Sequence, residues 1–166
     1  MKLRPLEIRD AEPMLEWMHD DFVVEKLQAN FAAKTLEDCI AFIKNSKDAN
    51  NIHLAIVDDN DYYMGTVSLK HITDTTAEFA ITVGRAAMGK GYSKWAMAQI
   101  INIAFDEYKV KNVYWCVAPD NLRALSFYDK NNYPKVEASE VQIAGGYTQE
   151  QIDSYIWYQV SNNKAE

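Results

Sequence analysis

Apolar and polar positions along the chain follow two periods, and the order in which these alternate outlines the architecture. Met1 to Leu6 has a short strand pattern, closed by charge at Glu7, Arg9 and Asp10. Asp10 can cap a helix that carries Leu15 and Met18 on one face, with Pro13 tolerated in its first turn. This helix is expected to break near His19-Asp20-Asp21, and a second short helical run spans Val23 to Leu27. Thr35-Leu36-Glu37-Asp38 is a helix-start signal, followed at helical spacing by Ile40 and Ile43. From Ile52 the period changes to two. His53 to Val57, a turn at Asp58 to Asp61, Tyr62 to Ile72, a turn at Thr73 to Thr76 and Ala77 to Val83 predict an antiparallel meander.

After Ser93 helical spacing returns, with Met97, Ile100, Ile101, Ala104 and Tyr108 on one stripe. Asn112 to Pro119 is a β-run too apolar on both faces for an edge, and it ends at Pro119. Strand, helix and strand in that order predict that 112–119 lies parallel to 77–83, joined by a crossover helix. A further helix covers 120–133. The tail, with apolar runs at 135–138, 141–143 and 154–160 and a Gly145-Gly146-Tyr147 turn, predicts closing antiparallel strands. Residues 161–166 read as a frayed end.

Composition narrows the class. The 166 residues, 48% hydrophobic and 12% aromatic, suit one folded domain over 1–166 and argue against disorder. With 17 basic and 24 acidic residues the net charge is −7, which disfavours nucleic acid and attracts a cationic amine. Cys39 and Cys116 fall on a helix face and a strand, without a Cys-x-x-Cys or Cys/His cluster. They read as buried thiols in a reducing compartment, and no metal is expected. The N-terminus lacks the apolar core of a signal peptide, and no run approaches the ~18 apolar residues of a membrane span. A soluble cytoplasmic protein is expected.

Candidate chemistry concentrates between Ala77 and Ser93, where a strand runs into a glycine-bearing turn and then a helix. The first N–H groups of a helix lack intrahelical partners and the macrodipole is positive there, so an anion is stabilised. Gly89 and Gly91 permit close backbone approach, and Lys90 adds a point charge. The spacing is neither a Walker loop nor a dinucleotide fingerprint. It resembles the acetyl-coenzyme A loop of the GNAT superfamily of N-acetyltransferases, whose pattern places Gln or Arg, then Gly, then Gly or Ala at Met88, Gly91 and Ser93. Only Gly91 matches strictly. Arg85 is the candidate for the charge that Met88 does not supply.

A stronger resemblance lies in Asp120 to Tyr133, where Asn121, Ala124, Leu125, Phe127, Tyr128, Asp129, Lys130 and Tyr133 fit the superfamily pattern. Asn132 stands where Gly is usual, and Asn also reaches the left-handed cap geometry. The resemblance covers nearly the whole chain. Leu3-Arg4-Pro5-Leu6 and Ala77-Glu78-Phe79 look like the branch that includes ribosomal-protein N-terminal, polyamine and nucleotide-amino-sugar acetyltransferases.

The resemblance implies an α/β (α+β) fold: a mixed, mainly antiparallel sheet of six to seven strands with a parallel splayed pair, flanked by about four helices. It implies acetyl-CoA as co-substrate, held at Met88, Gly89, Lys90, Gly91, Tyr92, Ser93, Asn121 and Phe127, with backbone N–H from Ile81, Thr82 or Val83 polarising the carbonyl. A splayed strand pair suits the amide-bearing pantetheine arm as a sheet edge suits a peptide. Tyr128 is then the acid that protonates the departing thiolate, against the plainer reading that it packs its helix on the sheet. Glu78 shares a face with Ala80 and Thr82; it either orients the amine and accepts its proton or is a wet strand end. Trp17, His19, Asp20 and Tyr147 are the candidate acceptor contacts, each also readable as ordinary surface or packing. The function implied is acetyl transfer to a primary amine in a ternary complex, the acceptor a small amine or amino sugar. A non-catalytic acyl-CoA sensor, an enzyme of protein N-termini and a plain interaction domain stay open as alternatives. A homodimer is among the partners the family admits. A covalent route through Cys116 is disfavoured because no motif sets a histidine beside it.

Overall fold

The computed structural model describes residues 1–27 and 29–162. Its chain order is β1 (Lys2–Pro5), α1 (Ala11–Met18), α2 (Asp21–Val24), α3 (Leu36–Lys44), β2 (Ile52–Val57), β3 (Tyr63–Lys70) and β4 (Thr76–Val83). There follow α4 (Tyr92–Asp106), β5 (Asn112–Val117), α5 (Leu122–Lys130), β6 (Lys135–Val136), α6 (Gln149–Ser154) and β7 (Ile156–Ser161). The strands form one seven-stranded sheet, in the order β1-β2-β3-β4-β5-β7-β6. Every neighbouring pair is antiparallel except β4 and β5.

That parallel pair positions the site. β4 and β5 are in register only at Thr76 with Asn112, Ala77 with Val113 and Glu78 with Tyr114. Beyond Glu78 both strands continue, to Val83 and Val117, without pairing each other. β4 stays on β3 over the same stretch, as far as Gly65 opposite Val83. A side chain at Gly65 would drive its Cβ into the Thr82 carbonyl and to 2.8 Å from the Val83 Cα, so only glycine lets the two strands approach there.

Alternation along the strands sorts the core onto two faces. Val67, Leu69, Phe79, Val113 and Trp115 pack under Met97, Ile100 and Ala104 of α4. Ala55 and Val57 pack on the other face under Met14, Met18, Cys39 and Ile43 of α1 and α3. Thr35 caps α3 by accepting from the Asp38 N–H while Asp38 accepts from Thr35, the reciprocal arrangement its sequence predicts. A third cluster of Tyr114, Val141 and Trp157 closes the far side of β5.

The differences from expectation are local. α2 begins at Asp21, two residues before Val23, because Asp20 accepts from the Phe22 N–H as its cap. Of the tail only Lys135–Val136 pairs before β7; 138–140 is a 3-10 turn, and Val141 is buried without joining the sheet. Thr148 and Gln151 cap each other and start α6, an unanticipated helix. Read from the sequence as part of a frayed end, Ser161 still pairs with Asn112; the rest of that expectation, at residues 163–166, lies outside the described residues. Among the described residues α2 and α6, of four and six residues, are short additions to the main four helices.

Candidate active site

The turn ahead of α4 holds Gly89 at φ +73° and Gly91 at φ +85°, both in the left-handed region that glycine enters without steric cost. Gly91 precedes α4 with no side-chain cap. Lys90 donates its N–H to the Ala87 carbonyl at 3.3 Å and Met88 to Arg85 at 3.2 Å, so these two are consumed within the turn. Among the described residues the N–H groups of Gly89, Gly91, Tyr92 and Ser93 have no backbone acceptor. Four donors at the positive end of a four-turn helix suit an anion.

From this turn a cavity of about 230 Å³ runs into the gap between β4 and β5. Ile81, Thr82 and Val83 form one wall, Met88, Gly89 and Ser93 the helix end, and Asn121, Phe127 and Tyr128 the wall from α5. Lys90, Gly91 and Tyr92 flank it without lining it. Asn121 accepts from the Ala124 N–H at 3.2 Å, capping α5, so its role in the helix start is structural. Arg123, which sequence reasoning did not single out, also lines this groove while donating to the Phe22 and Val23 carbonyls. Arg85 instead binds the Asp20 carboxylate, with Nε to Oδ2 at 2.7 Å, on a separate cavity beside Gly84. That guanidinium holds the Asp20 carboxyl below the usual carboxylate range.

Deeper in the gap a second cavity of about 260 Å³ shares Ile81, Thr82, Asn121 and Tyr128 with the first and adds Glu78, Trp115 and Tyr147. Tyr128 is buried against Trp115 and Tyr158, with ring centroids at 5.3 and 5.1 Å. Burial, reinforced by Tyr158, Tyr133 and Cys116, pushes its phenol well above the ordinary tyrosine value, so it is a proton donor throughout the physiological range.

Glu78 is the last residue of β4 paired to β5, and it is buried. Its Oε1 accepts from the Tyr147 hydroxyl at 2.7 Å and lies 2.7 Å from the ammonium of Lys70, its partner on β3. Its Oε2 has no hydrogen-bond partner among the described residues and lies 3.6 Å from His71 Nε2. The Trp115 indole N–H is likewise buried and unpartnered among the described residues. Each is a buried polar group without a partner, Glu78 on the face of β4 that carries Ala80 and Thr82 and Trp115 on the opposite face beneath α4. Burial, then Glu78 and Cys116, push the Tyr147 phenol far up, so it remains a donor to that carboxylate.

A third cavity of about 320 Å³ lies on the face of β4 away from α4 and shares Phe31, Lys70, Ala80, Ile81 and Thr82 with the second. Trp17 lines it. The other acceptor-side candidates go elsewhere: His19 turns its Nε2 to the Lys34 carbonyl at 2.8 Å, Asp20 binds Arg85, and Tyr147 sits with Glu78. Phe31, Phe42, His53, Thr66 and Ser68 complete the cavity. No local motif announces them, because only sheet register and helix packing bring them together.

Among the described residues no group of three or more His, Cys, Asp or Glu is placed to hold a metal ion, and no helix is long and apolar enough to cross a membrane. A sheet opened between parallel strands, with a bare helix start at its mouth and a buried phenol and carboxylate inside, is the architecture of a coenzyme A-dependent acyltransferase. The chain belongs to the GNAT acetyltransferases: the family model for an acetyltransferase (GNAT) domain matches residues 1–133. It is similar to acetyltransferase PseH of Campylobacter jejuni, 22% identical over 128 residues that make up 77% of this chain and 79% of that protein. The crystal structure of that Campylobacter enzyme aligns at a TM-score of 0.65, with 19% identity and 98% of each chain covered. Spermidine N-acetyltransferase from Vibrio cholerae, solved with CoA and spermine, aligns at a TM-score of 0.78, with 16% identity over 98% of this chain and 96% of that one. The protein is thus a GNAT N-acetyltransferase, in a family whose acyl donor is acetyl-CoA.

Proposed function

We propose that the whole chain, 1–166, is one cytoplasmic acyltransferase domain that moves the acetyl group of acetyl-CoA to a primary amine by direct attack, with both substrates bound together. The acceptor is a small amine or amino sugar. The observation that carries the reading is that Tyr128 and Glu78, whose Oε2 has no hydrogen-bond partner among the described residues, line one cavity in the β4–β5 gap. The groove leading there fits the coenzyme: unpaired N–H groups from Gly89 to Ser93 suit its diphosphate, Arg123 adds a cation, and the unpaired strand edges suit its amide-bearing arm.

In this reading the amine nitrogen attacks the thioester carbonyl carbon, whose oxygen is polarised by backbone N–H from 81–83. The carbon–sulfur bond breaks as the carbon–nitrogen bond forms. The departing sulfur, a thiol of reference pKa about 8.5, takes the Tyr128 proton, and Glu78 accepts the proton the amine gives up. Solvent then restores both groups. Every residue in the scheme comes from one chain, so a homodimer is not needed for it.

The test is thiol release from acetyl-CoA with polyamines, amino sugars and peptide N-termini as acceptors, alongside calorimetry of acetyl-CoA binding. Amine-dependent release that is lost in Tyr128→Phe and Glu78→Gln, with coenzyme affinity kept, is the expected result. Turnover unaffected by both substitutions refutes the assignment of these two groups.

A further inference from the structure

On the face of the sheet away from α4, successive strands present a polar floor. Thr66, Ser68 and Lys70 alternate on β3, Thr82 lies opposite Thr66 and Ala80 opposite Ser68 on β4, and His53 lies opposite Ser68 on β2. The helices above do not fill the space, and the 320 Å³ cavity remains. Its size falls at the lower end of small-molecule sites.

The walls are rings. Trp17 meets Phe31 edge to face at 5.1 Å, and Phe42 leans on the His53 ring at 4.6 Å. The floor is made of hydroxyls. Ser68 Oγ is 2.7 Å from His53 Nδ1, and Thr66 Oγ1 is 2.7 Å from the Tyr63 hydroxyl, which also accepts from the Trp17 indole at 3.1 Å. Each hydroxyl is thus oriented by a neighbour and keeps capacity for a further hydrogen bond.

Charge decides the class of occupant. The charged lining residues are Lys34, Lys70 and Asp38. Asp38 accepts from the Thr35 N–H and faces its hydroxyl as the cap of α3, and the Lys70 ammonium is paired with Glu78. Burial and the nearby Lys70 push the His53 imidazole down to about 4, so it is neutral at neutral pH. The site therefore offers no surplus negative charge to a polycation. It offers flat apolar walls and a hydroxyl floor.

We propose that this cavity is the acceptor subsite, and that it selects a compact hydroxylated ring bearing a single amine, of the amino-sugar type, and rejects linear polyamines. The ring stacks its apolar face on Trp17, Phe31 and Phe42 and hydrogen-bonds to Thr66 and Ser68, while the amine reaches the thioester past Ile81 and Thr82. This assignment rests on the acetyltransferase reading above and names its substrate class.

The experiment compares kcat/KM for glucosamine, spermidine and an alanyl peptide with saturating acetyl-CoA, in the wild type and in Ser68→Ala, Phe42→Ala and Ser68→Asp. Expected is a preference for glucosamine over spermidine of about 100-fold or more. Ser68→Ala, which removes one hydrogen bond, is expected to raise the glucosamine KM ~10-fold with kcat nearly unchanged. Ser68→Asp is expected to raise kcat/KM for spermidine. Each variant is checked for wild-type affinity for acetyl-CoA, which a folding defect would destroy. Preference for spermidine or the peptide, or a glucosamine KM indifferent to both Ser68→Ala and Phe42→Ala, overturns the subsite and leaves the enzyme reading standing. Acetyl-CoA bound without acetylation of any of the three amines overturns both.

Discussion

Acidification from pH 7.5 to 4.5 is expected to cost this protein stability through one imidazole, and His53→Gln isolates that contribution. His53 is half-buried between Phe42 and the β3 hydroxyls, and burial with Lys70 nearby sets it to about 4 against an ordinary 6.5. The unfolded chain therefore binds this proton at a higher pH than the native one does. The stabilisation is complete above about pH 7 and drains away as pH falls through 6.5 towards 4, the sign expected when the unfolded state takes up more protons. At 1.36 kcal/mol per unit the full difference is about 3 kcal/mol. Water reaches part of the ring, which reduces the expected effect to about 1–2 kcal/mol. Urea melts followed by tryptophan fluorescence at intervals from pH 7.5 to 4.5 measure it. Carboxylates titrate equally in both proteins, so the wild type and His53→Gln should converge by about 1–2 kcal/mol towards pH 4.5. A constant gap across that range refutes the reasoning, since it would mean that the native ring takes its proton as readily as the unfolded one.

Three further substitutions address the groove. Tyr128→Phe removes the buried hydroxyl while keeping the stack on Trp115 and Tyr158, and should lower kcat by about 100-fold, with acetyl-CoA affinity by calorimetry changed less than threefold. Gly65→Ala sets a methyl group against the backbone of Thr82 and Val83, so a loss above ~2 kcal/mol in urea melts is expected, with weaker acetyl-CoA binding because both residues line the groove. Arg123→Ala removes a cation from the groove and the donors holding the Phe22 and Val23 carbonyls; the Kd for acetyl-CoA should rise about 10-fold with kcat at saturation little changed.

The glycine turn ahead of α4 and the strand order around it were legible in the sequence because their determinants are local. A strand, two glycines and a helix occur consecutively, and the φ of +58° at Asn132 is what its place after an aromatic-Tyr helix predicts. The parallel setting of β4 and β5 followed from the same short segments. The cavity proposed for the acceptor was not legible, since Phe31, Phe42, His53, Thr66 and Ser68 come from separate elements and meet only through register. Charge alone did not tell which arginine faces the groove. Asp20, as the cap of α2, stands beside Arg85 and claims it, while Arg123 reaches from α5 across the groove rim to the Phe22 and Val23 carbonyls. The helix at 149–154 had its Thr148 and Gln151 signal, but the apolar run after it dominated the pattern.

The brevity of the parallel contact between β4 and β5 has a mechanical consequence. With three rungs joining them, the half-sheets β1–β4 and β5–β7–β6 form a clamp whose jaws meet at one end. An occupant lying between the jaws supplies the crosslink that the polypeptide omits, and the native state gains in proportion to the logarithm of its concentration over Kd. With acetyl-CoA bound as proposed, the enzyme is expected to resist proteases most while loaded with donor and least once the spent carrier has left.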